Sequence, residues 1–247
     1  CPARVYIPLE EVSRLESLPG EGPEWCAVLP RVWRDRDEPA LRTLLERARA
    51  LGFTGVLIGN LGHLPLVRGL NFHLYGDYGL NVFNSRSLAY LKDKELESAC
   101  VSFELRFAQI RDLKKVLRAE AIVYGRLPLM ITENCLVQNE TGCRLDRQGP
   151  CVPEDGPCRC GQPNVLVDRT GAAFPLLPAY GHRTEIQNSK PLYLADRPEH
   201  RRLGLAYARL RFTTETAEEC VSVVQNYLDA APAAGDFTRG LYERGVE

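Results

Sequence analysis

The stretch CAVLPRVWRDRDEPALRTLLERARALGFTGVLIGN, residues 26–60, decides the fold class of this chain. Two short apolar runs, CAVLP (26–30) and GVLIGN (55–60), enclose the segment PALRTLLERARALG (39–52). Apolar residues recur in that segment at helical spacing, and a glycine follows where a helix would end: Leu41, Leu44, Leu45, Ala48 and Gly52. A strand, a helix and a second strand in this order predict a βαβ unit with parallel strands.

The same alternation continues to residue 130. Further strands are predicted at LNFHLYG (70–76), running on to LNVFN (80–84), and then at ACVSFEL (99–105) and EAIVYGRLPLM (120–130). Helices are predicted between them, at SLAYLKDKEL (87–96) and FAQIRDLKKVLRA (107–119). We therefore predict an α/β fold with a parallel sheet and flanking helices.

The pattern changes after residue 134. Residues 138–164 are rich in Gly, Pro, Cys and charge and show no periodicity, whereas VLVDRTGAAFPL (165–176) predicts a hairpin. A strand is predicted at LGLAYARLRFT (203–213), and a helix at TAEECVSVVQNYL (216–228) with a capping box of Thr216 and Glu219. We predict two parts: residues 1–134, and a cysteine-rich loop with an α+β segment, residues 135–247.

Composition limits the classes of partner and location. With 247 residues, 45% of them hydrophobic, the chain can bury a core without disulfides. Its 31 basic and 32 acidic residues nearly cancel, which gives no global electrostatic reason to expect a nucleic acid or an anionic membrane. No apolar run approaches a membrane span, and CPARVYIPLEEV does not resemble a signal peptide. We predict a cytoplasmic location and no membrane partner. Because the first residue is Cys1, we expect an N-terminal part of the same polypeptide as a partner.

Polar side chains stand where the predicted strands end: Asn60, Asn81, Asn84, Glu104, Tyr124 and Arg126. In parallel α/β architectures the carboxyl ends of the strands face the ligand site. The candidate catalytic residues are therefore Glu104, Asn81, Tyr124, Arg126 and His63. The alternative is that Asn and Glu simply begin polar loops.

Five of the nine cysteines fall within 26 residues: Cys135, Cys143, Cys151, Cys158 and Cys160. Disulfides would need an oxidising compartment, and a cysteine nucleophile would need a nearby histidine that no local motif supplies. Metal ligation is favoured, because neighbouring thiolates repel one another unless a cation lies between them. Zinc and an iron-sulfur cluster both suit such a set. Ordinary reduced cysteines remain the alternative, and Cys26, Cys100 and Cys220 are predicted to be packed thiols.

The stretch EAIVYGRLPLMITENCLV (120–137) resembles the signature of the collagenase-like peptidase family U32. The matching positions are Glu120, Ile122, Gly125, Leu127, Cys135 and Val137. Three positions depart from the signature: Pro128 stands where the family's first cysteine is usual, Glu133 replaces a glycine and Gln138 a serine. LIGNLGHL, GDYGLNVFNS, VSFEL, IQNSKPLYLAD and FTRGLYERGVE extend the resemblance, over about residues 50–247, to the C-terminal half of a longer multidomain member.

The resemblance implies the later strands of a TIM-type β/α barrel followed by a C-terminal cysteine-bearing α+β segment. Several members are similar to oxygen-independent hydroxylases that act on RNA bases or a quinone precursor and hold a four-cysteine iron-sulfur cluster. Cys135 matches one ligand and Cys158 or Cys160 another, whereas Tyr193 stands where a late family cysteine is expected.

With Cys143 or Cys151 as substitutes, the expected ligand set is Cys135, Cys143, Cys158 and Cys160, and Cys151 stays open. The favoured expectation is an enzyme with a 4Fe-4S cluster that hydroxylates RNA or a small aromatic compound. A peptidase acting on peptides and a zinc-stabilised, non-catalytic binding module remain alternatives.

Overall fold

Six strands that follow one another along the chain form a parallel sheet. The computed structural model describes residues 2–20, 22–141 and 159–246. The strands pair with their neighbours in chain order. They are β1 (Arg4–Pro8), β2 (Glu24–Val28), β3 (Gly55–Ile58), β4 (His73–Gly76), β5 (Ser98–Cys100) and β6 (Arg118–Gly125). The βαβ prediction for residues 26–60 is confirmed, since Cys26 of β2 pairs in parallel with Gly55 of β3.

Helices connect these strands, and the sequence predicts each of them except the second, His63–Val67. They are α1 (Glu38–Leu51), α2 (His63–Val67), α3 (Ser85–Asp93) and α4 (Phe107–Asp112). The longest, α1, buries Leu41, Leu45 and Ala48 completely, which are three of the four predicted apolar positions. It ends at Gly52, whose φ of 98° is a backbone conformation that glycine adopts without steric cost.

The chain divides into two units. The first contains Cys1–Ala121, Arg201–Ala208 and Leu241–Glu247, and so holds β1 to β5 and the start of β6. Its sheet is curled: Arg4 Nη1 on β1 donates to Ser98 Oγ on β5 at 2.8 Å, although four inter-strand spacings in a flat sheet would amount to about 19 Å. A curled parallel sheet with flanking helices is compatible with the predicted partial barrel.

The second unit contains Ile122–His200 and Arg209–Gly240. Its separate antiparallel sheet has the order β7-β10-β9-β8. These strands are β7 (Pro128–Thr132), β8 (Asn164–Val167), β9 (Ala173–Ala179) and β10 (Arg183–Gln187). The remaining elements that reach into this unit are α5 (Leu136–Thr141), β11 (Leu192–Tyr193), β12 (Tyr207–Leu210) and α6 (Ala217–Asp229). The predicted hairpin is confirmed as β8 and β9, and the Thr216 and Glu219 capping box is present at α6.

One predicted strand is wrong. The stretch EAIVYGRLPLM (120–130) forms two strands, β6 and β7, which belong to different sheets. Gly125 ends β6 with a φ of 115°, and a Cβ atom there would lie 1.9 Å from the carbonyl oxygen of Arg211. The chain therefore turns out of the parallel sheet at a position that only glycine tolerates.

Other predicted elements are shorter than expected. The strand predicted over residues 99–105 is only the three-residue β5, and the one predicted over residues 203–213 is Tyr207–Leu210. The helix predicted over residues 107–119 ends at Asp112, because Leu113 has extended backbone (φ −58°, ψ 129°) and Lys114 N instead donates to Ser85 Oγ. The strand predicted over residues 80–84 is reduced to a single bridge between Val82 and Val101, since Asn81 is left-handed at φ 50°. Among the residues that the structure describes, no helix is both long and apolar enough to cross a membrane.

Candidate active site at the carboxyl ends of the parallel strands

Six side chains of the first unit gather where four neighbouring strands end. We call them the mouth cluster: Arg31 and Trp33 after β2, His63 after β3, Asp77 and Tyr78 after β4, and Phe103 after β5. Their strands lie side by side in the order β2-β3-β4-β5. In parallel α/β sheets this is the end at which ligands bind.

Ring contacts join the four loops. The rings of Trp33 and His63 are stacked with 6.0 Å between their centroids, so the loop after β2 contacts the residue that begins α2. The guanidinium of Arg31 lies 5.3 Å from the centre of the Tyr78 ring, and that ring is 5.7 Å from the ring of Phe103. Aromatic faces and one guanidinium thus lie together at the strand ends, an arrangement able to stack a planar group.

The missing side chain of Gly79 makes room for Arg31. A Cβ atom on Gly79 would lie 2.6 Å from the carbonyl oxygen of Gly59 and 3.0 Å from Cδ of Arg31. A Cβ atom on Gly59 would lie 3.5 Å from Cγ of Arg31. The backbones after β3 and β4 therefore approach closely because Gly79 lacks a side chain, and the stem of Arg31 packs against both glycines.

His63 is fully buried, and its two ring nitrogens differ. Nε2 lies 3.2 Å from the carbonyl oxygen of Pro30 and donates to it, since a carbonyl oxygen can only accept. Nδ1 then carries the lone pair, and no hydrogen-bond partner from the described residues reaches it. Burial lowers the pKa of His63 from 6.5 to about 4, against the opposing effects of the Pro30 carbonyl and Asp77. The imidazole is therefore neutral at pH 7.

The other predicted catalytic residues of the first unit lie at the same strand ends. Asn81 is exposed and left-handed, and Glu104 is half-buried in the loop after β5. Two other asparagines at strand ends make local contacts with the loop or helix that they begin. Asn60 Oδ1 accepts from Gly62 N at 2.8 Å within a turn, and Asn84 Oδ1 caps α3 by accepting from the backbone N of Arg86 and Ser87.

Tyr124 and Arg126 lie in the second unit, where both make structural contacts. Tyr124 is 7% exposed, packs against the rings of Tyr193, Phe212 and Tyr227, and donates to Glu215 Oε1 at 3.1 Å. Burial and the Glu215 carboxylate raise its pKa above the usual range for tyrosine. Arg126 donates to the backbone carbonyls of Asn188 and Ser189. These bonds are sufficient to explain both residues without a catalytic role.

Cys135 lies at the start of α5 in the second unit and is 6% exposed. Its carbonyl accepts from Asn139 N at 3.4 Å, the first bond of that helix. Strand β10 holds the loop before it. Arg183 donates through Nε and Nη2 to both oxygens of Glu133, and Thr184 Oγ1 accepts from Leu136 N at 3.0 Å.

Cys160 is half-buried in the 3₁₀ turn Arg159–Gly161, and this turn contacts α5. Cys143 and Cys158, predicted as ligands, and Cys151 lie outside the described residues. Within residues 2–20, 22–141 and 159–246, no three His, Cys, Asp or Glu side chains converge closely enough to hold a metal ion. The predicted four-cysteine site therefore stays a prediction. Cys26 and Cys100 are fully buried, as predicted for packed thiols, whereas Cys220 is only half-buried.

Sequence reasoning missed most of the mouth cluster. Of its six residues only His63 was predicted, and Arg31, Trp33, Asp77, Tyr78 and Phe103 were not. Their position in the sequence could have found them, since every one of them follows the end of a parallel strand within five residues. At the ends of β2, β4 and β5 the search considered only Asn and Glu, and so passed over the aromatic rings and the arginine that follow these strands.

Comparison with known proteins identifies the family. No curated protein and no solved structure matches the chain. The sequence model of peptidase family U32 matches residues 18–164, which is more than half of the chain. The matched region runs from before β2 to the start of β8, and includes the mouth cluster and Cys135. The chain belongs to peptidase family U32.

Proposed function

We propose that this chain is part of an enzyme that binds substrate at the mouth cluster and depends on a cofactor held by its cysteines. The favoured cofactor is a 4Fe-4S cluster, and the favoured reaction is oxygen-independent hydroxylation of RNA or a small aromatic compound. The observation that carries the proposal is the setting of Cys135. Its thiol is buried at the start of a short helix, and this helix contacts the turn that contains Cys160.

The residues fit a cysteine-held group in part. Cys135 and Cys160 supply two thiols on contacting segments, and Cys143 and Cys158 would complete the set. The family's own ligand pattern does not fit. Pro128, at the first family cysteine, begins β7 opposite Gln187, and Tyr193, at the late one, donates its hydroxyl to the Ala231 carbonyl at 2.9 Å. The ligand set we propose is therefore this chain's own.

The mouth cluster supports an aromatic substrate. Trp33, Tyr78 and Phe103 are each half-buried and none is enclosed, which is consistent with stacking of a substrate against them. The carboxylate of Glu104 and the amide of Asn81 would orient polar groups of the substrate. A bound iron-sulfur cluster would supply single-electron transfer at a potential set by its surroundings.

Peptide hydrolysis is the second candidate, and the family description favours it. A hydrolytic site needs a base that reaches the attacking group. Glu104 is the better candidate of the two predicted bases, because His63 is fully buried. A zinc-stabilised binding module without catalysis is the third candidate, and it leaves the mouth cluster without a role.

Metal analysis tests the proposal. The protein is purified without oxygen, its iron, sulfide and zinc are quantified, and its visible absorption is recorded. We expect about four irons per chain and a brown protein. Cys135→Ser should lose the metal, whereas Cys220→Ser, which alters a half-buried cysteine on α6, should retain it.

Three outcomes contradict the favoured assignment. One zinc per chain, lost in Cys135→Ser, would support the zinc site instead. Metal content unchanged in Cys135→Ser would refute the role of this cysteine. A metal-free protein that cleaves peptides, with activity lost in Glu104→Gln, would establish the peptidase.

A further inference from the structure

The helix α6 carries an apolar row on its solvent side. Val221 is 71% exposed, Val224 42% and Leu228 70%. Their spacing of three and then four residues places them on one face of the helix, as in the seam of a coiled coil. We call these three residues the outward seam.

The outward seam is not needed to hold α6 in place. An adjacent face of the helix, through Val223 and Tyr227, packs against the cluster of Tyr124, Tyr193 and Ala195. The Tyr227 hydroxyl donates to the Val123 carbonyl at 2.5 Å and accepts from Leu194 N at 2.8 Å. Two independent faces thus exist, one that anchors the helix and one that exposes branched apolar side chains to water at a free-energy cost.

Charge indicates what kind of partner fits the outward seam. The segment Ala217–Asp229 contains Glu218, Glu219 and Asp229 and no Lys, Arg or His. Glu219 is used in the capping box, where its carboxylate accepts from Thr216 N at 2.7 Å. Glu218 and Asp229 stand at the two ends of the seam. A second copy of α6 would bring like charges together, whereas a basic helix would bring opposite charges.

We propose that the outward seam docks one amphipathic α-helix of a partner protein, with apolar residues at the same three-four spacing and lysine or arginine on its flanks. Burial of the three apolar side chains supplies the affinity. The negative charges of Glu218 and Asp229, at the two ends of the seam, favour a basic partner. This surface lies on α6 and contains none of the residues proposed above to bind a substrate or a cofactor, and the proposal does not depend on the function proposed above.

Synthetic peptides test the proposal on the whole protein. One probe has about three heptads with leucine at the seam positions and lysine at the flanks. A second has glutamate at the flanks, and a third is a scrambled form of the lysine probe. Binding is followed by fluorescence anisotropy of the labelled peptide at about 0.1 M salt, where screening is moderate.

We expect the lysine probe to bind with a dissociation constant on the order of 10 µM and the other two probes about tenfold more weakly or worse. The double variant Val221→Ser/Leu228→Ser should weaken the lysine probe by about tenfold or more. The control Ser222→Ala, one residue from the seam, should bind as the wild type does. Circular dichroism verifies that each variant keeps its fold.

Three results would overturn the proposal. The lysine probe fails to bind the folded wild type, or it binds the seam variant as tightly as the wild type, or the scrambled probe binds equally well. A concentration-dependent dimer in sedimentation that disappears in the seam variant would assign the outward seam to self-association instead.

Discussion

Tyr6 on β1 donates its hydroxyl to Glu120 Oε2 on β6 at 2.9 Å. These are the first and sixth strands of the parallel sheet, which would lie about 24 Å apart if the sheet were flat. The contact therefore crosses the concave side of the curled sheet in the first unit. Glu120 is 3% exposed and is also the residue at which the stretch resembling the family signature begins. We conclude that Glu120 links the first and sixth strands of the sheet across its concave side.

Tyr6→Phe tests that role. Loss of the hydroxyl removes a part-buried hydrogen bond to the Glu120 carboxyl group, and we expect the free energy of unfolding to fall by about 1–2 kcal/mol. Urea unfolding followed by circular dichroism measures it. Tyr90→Phe is the control, because Tyr90 is 48% exposed, and it should change stability by less than about 0.5 kcal/mol. Equal effects of the two variants would contradict a special role for the Tyr6 hydroxyl.

Local sequence patterns predict the elements whose start, end and buried face are all determined by residues within the element. The helix α1 has apolar residues at helical spacing and a terminal glycine, and α6 has a capping box that closes with its own neighbours. The division of residues 120–130 into two strands depends instead on Gly125, whose close neighbour Arg211 is distant in sequence. No local pattern records such a contact, so a continuous apolar run predicts one strand where two exist.

In the candidate site too, some features can be predicted from the local sequence and others depend on contacts between distant residues. The idea that strand ends carry the site predicts one shared edge of the sheet for His63, Asn81 and Glu104, and all three follow parallel strands of the first unit. For Tyr124, the local sequence does not show that its hydroxyl donates to Glu215, far along the chain. Arg31 was missed because its position depends on the close approach of Gly59 and Gly79, which only the folded chain brings about.

The lowered pKa of His63 leads us to expect that the protein loses stability in acid. The folded protein favours the neutral imidazole, with a pKa of about 4 against 6.5 for the ordinary group. The contribution of His63 is therefore fully present above about pH 6.5 and is lost as the pH falls towards 4. Relative to His63→Phe, the wild type should lose about 3 kcal/mol between pH 7 and pH 4. Urea unfolding at a series of pH values measures this difference. If the free energies of unfolding of the wild type and His63→Phe change with pH in parallel, the low pKa of His63 in the folded protein is contradicted.

Gly125→Ala should be severely destabilising. The positive φ of 115° disfavours any side chain, and the added Cβ would lie 1.9 Å from a carbonyl oxygen that cannot move independently. Gly171→Ala is the matched control, with a φ of 84° and no atom within 4 Å of the added Cβ. We expect the control to lose about 1–2 kcal/mol and Gly125→Ala at least about 2 kcal/mol more. Similar melting curves for the two variants would rule out the steric explanation.

Glu133→Gln connects the second unit's packing with the proposed cofactor. The Arg183 side chain is 3% exposed and binds both carboxylate oxygens of Glu133, two residues before Cys135. The amide keeps one acceptor but loses the charge, so we expect a loss of about 1 kcal/mol in stability and faster release of metal to a chelator. Glu140→Gln, an exposed change on α5, is the control and should match the wild type in both measurements. If Glu133→Gln lowers stability but releases metal at the wild-type rate, the Arg183 pair supports the fold and does not hold Cys135 in a ligating position.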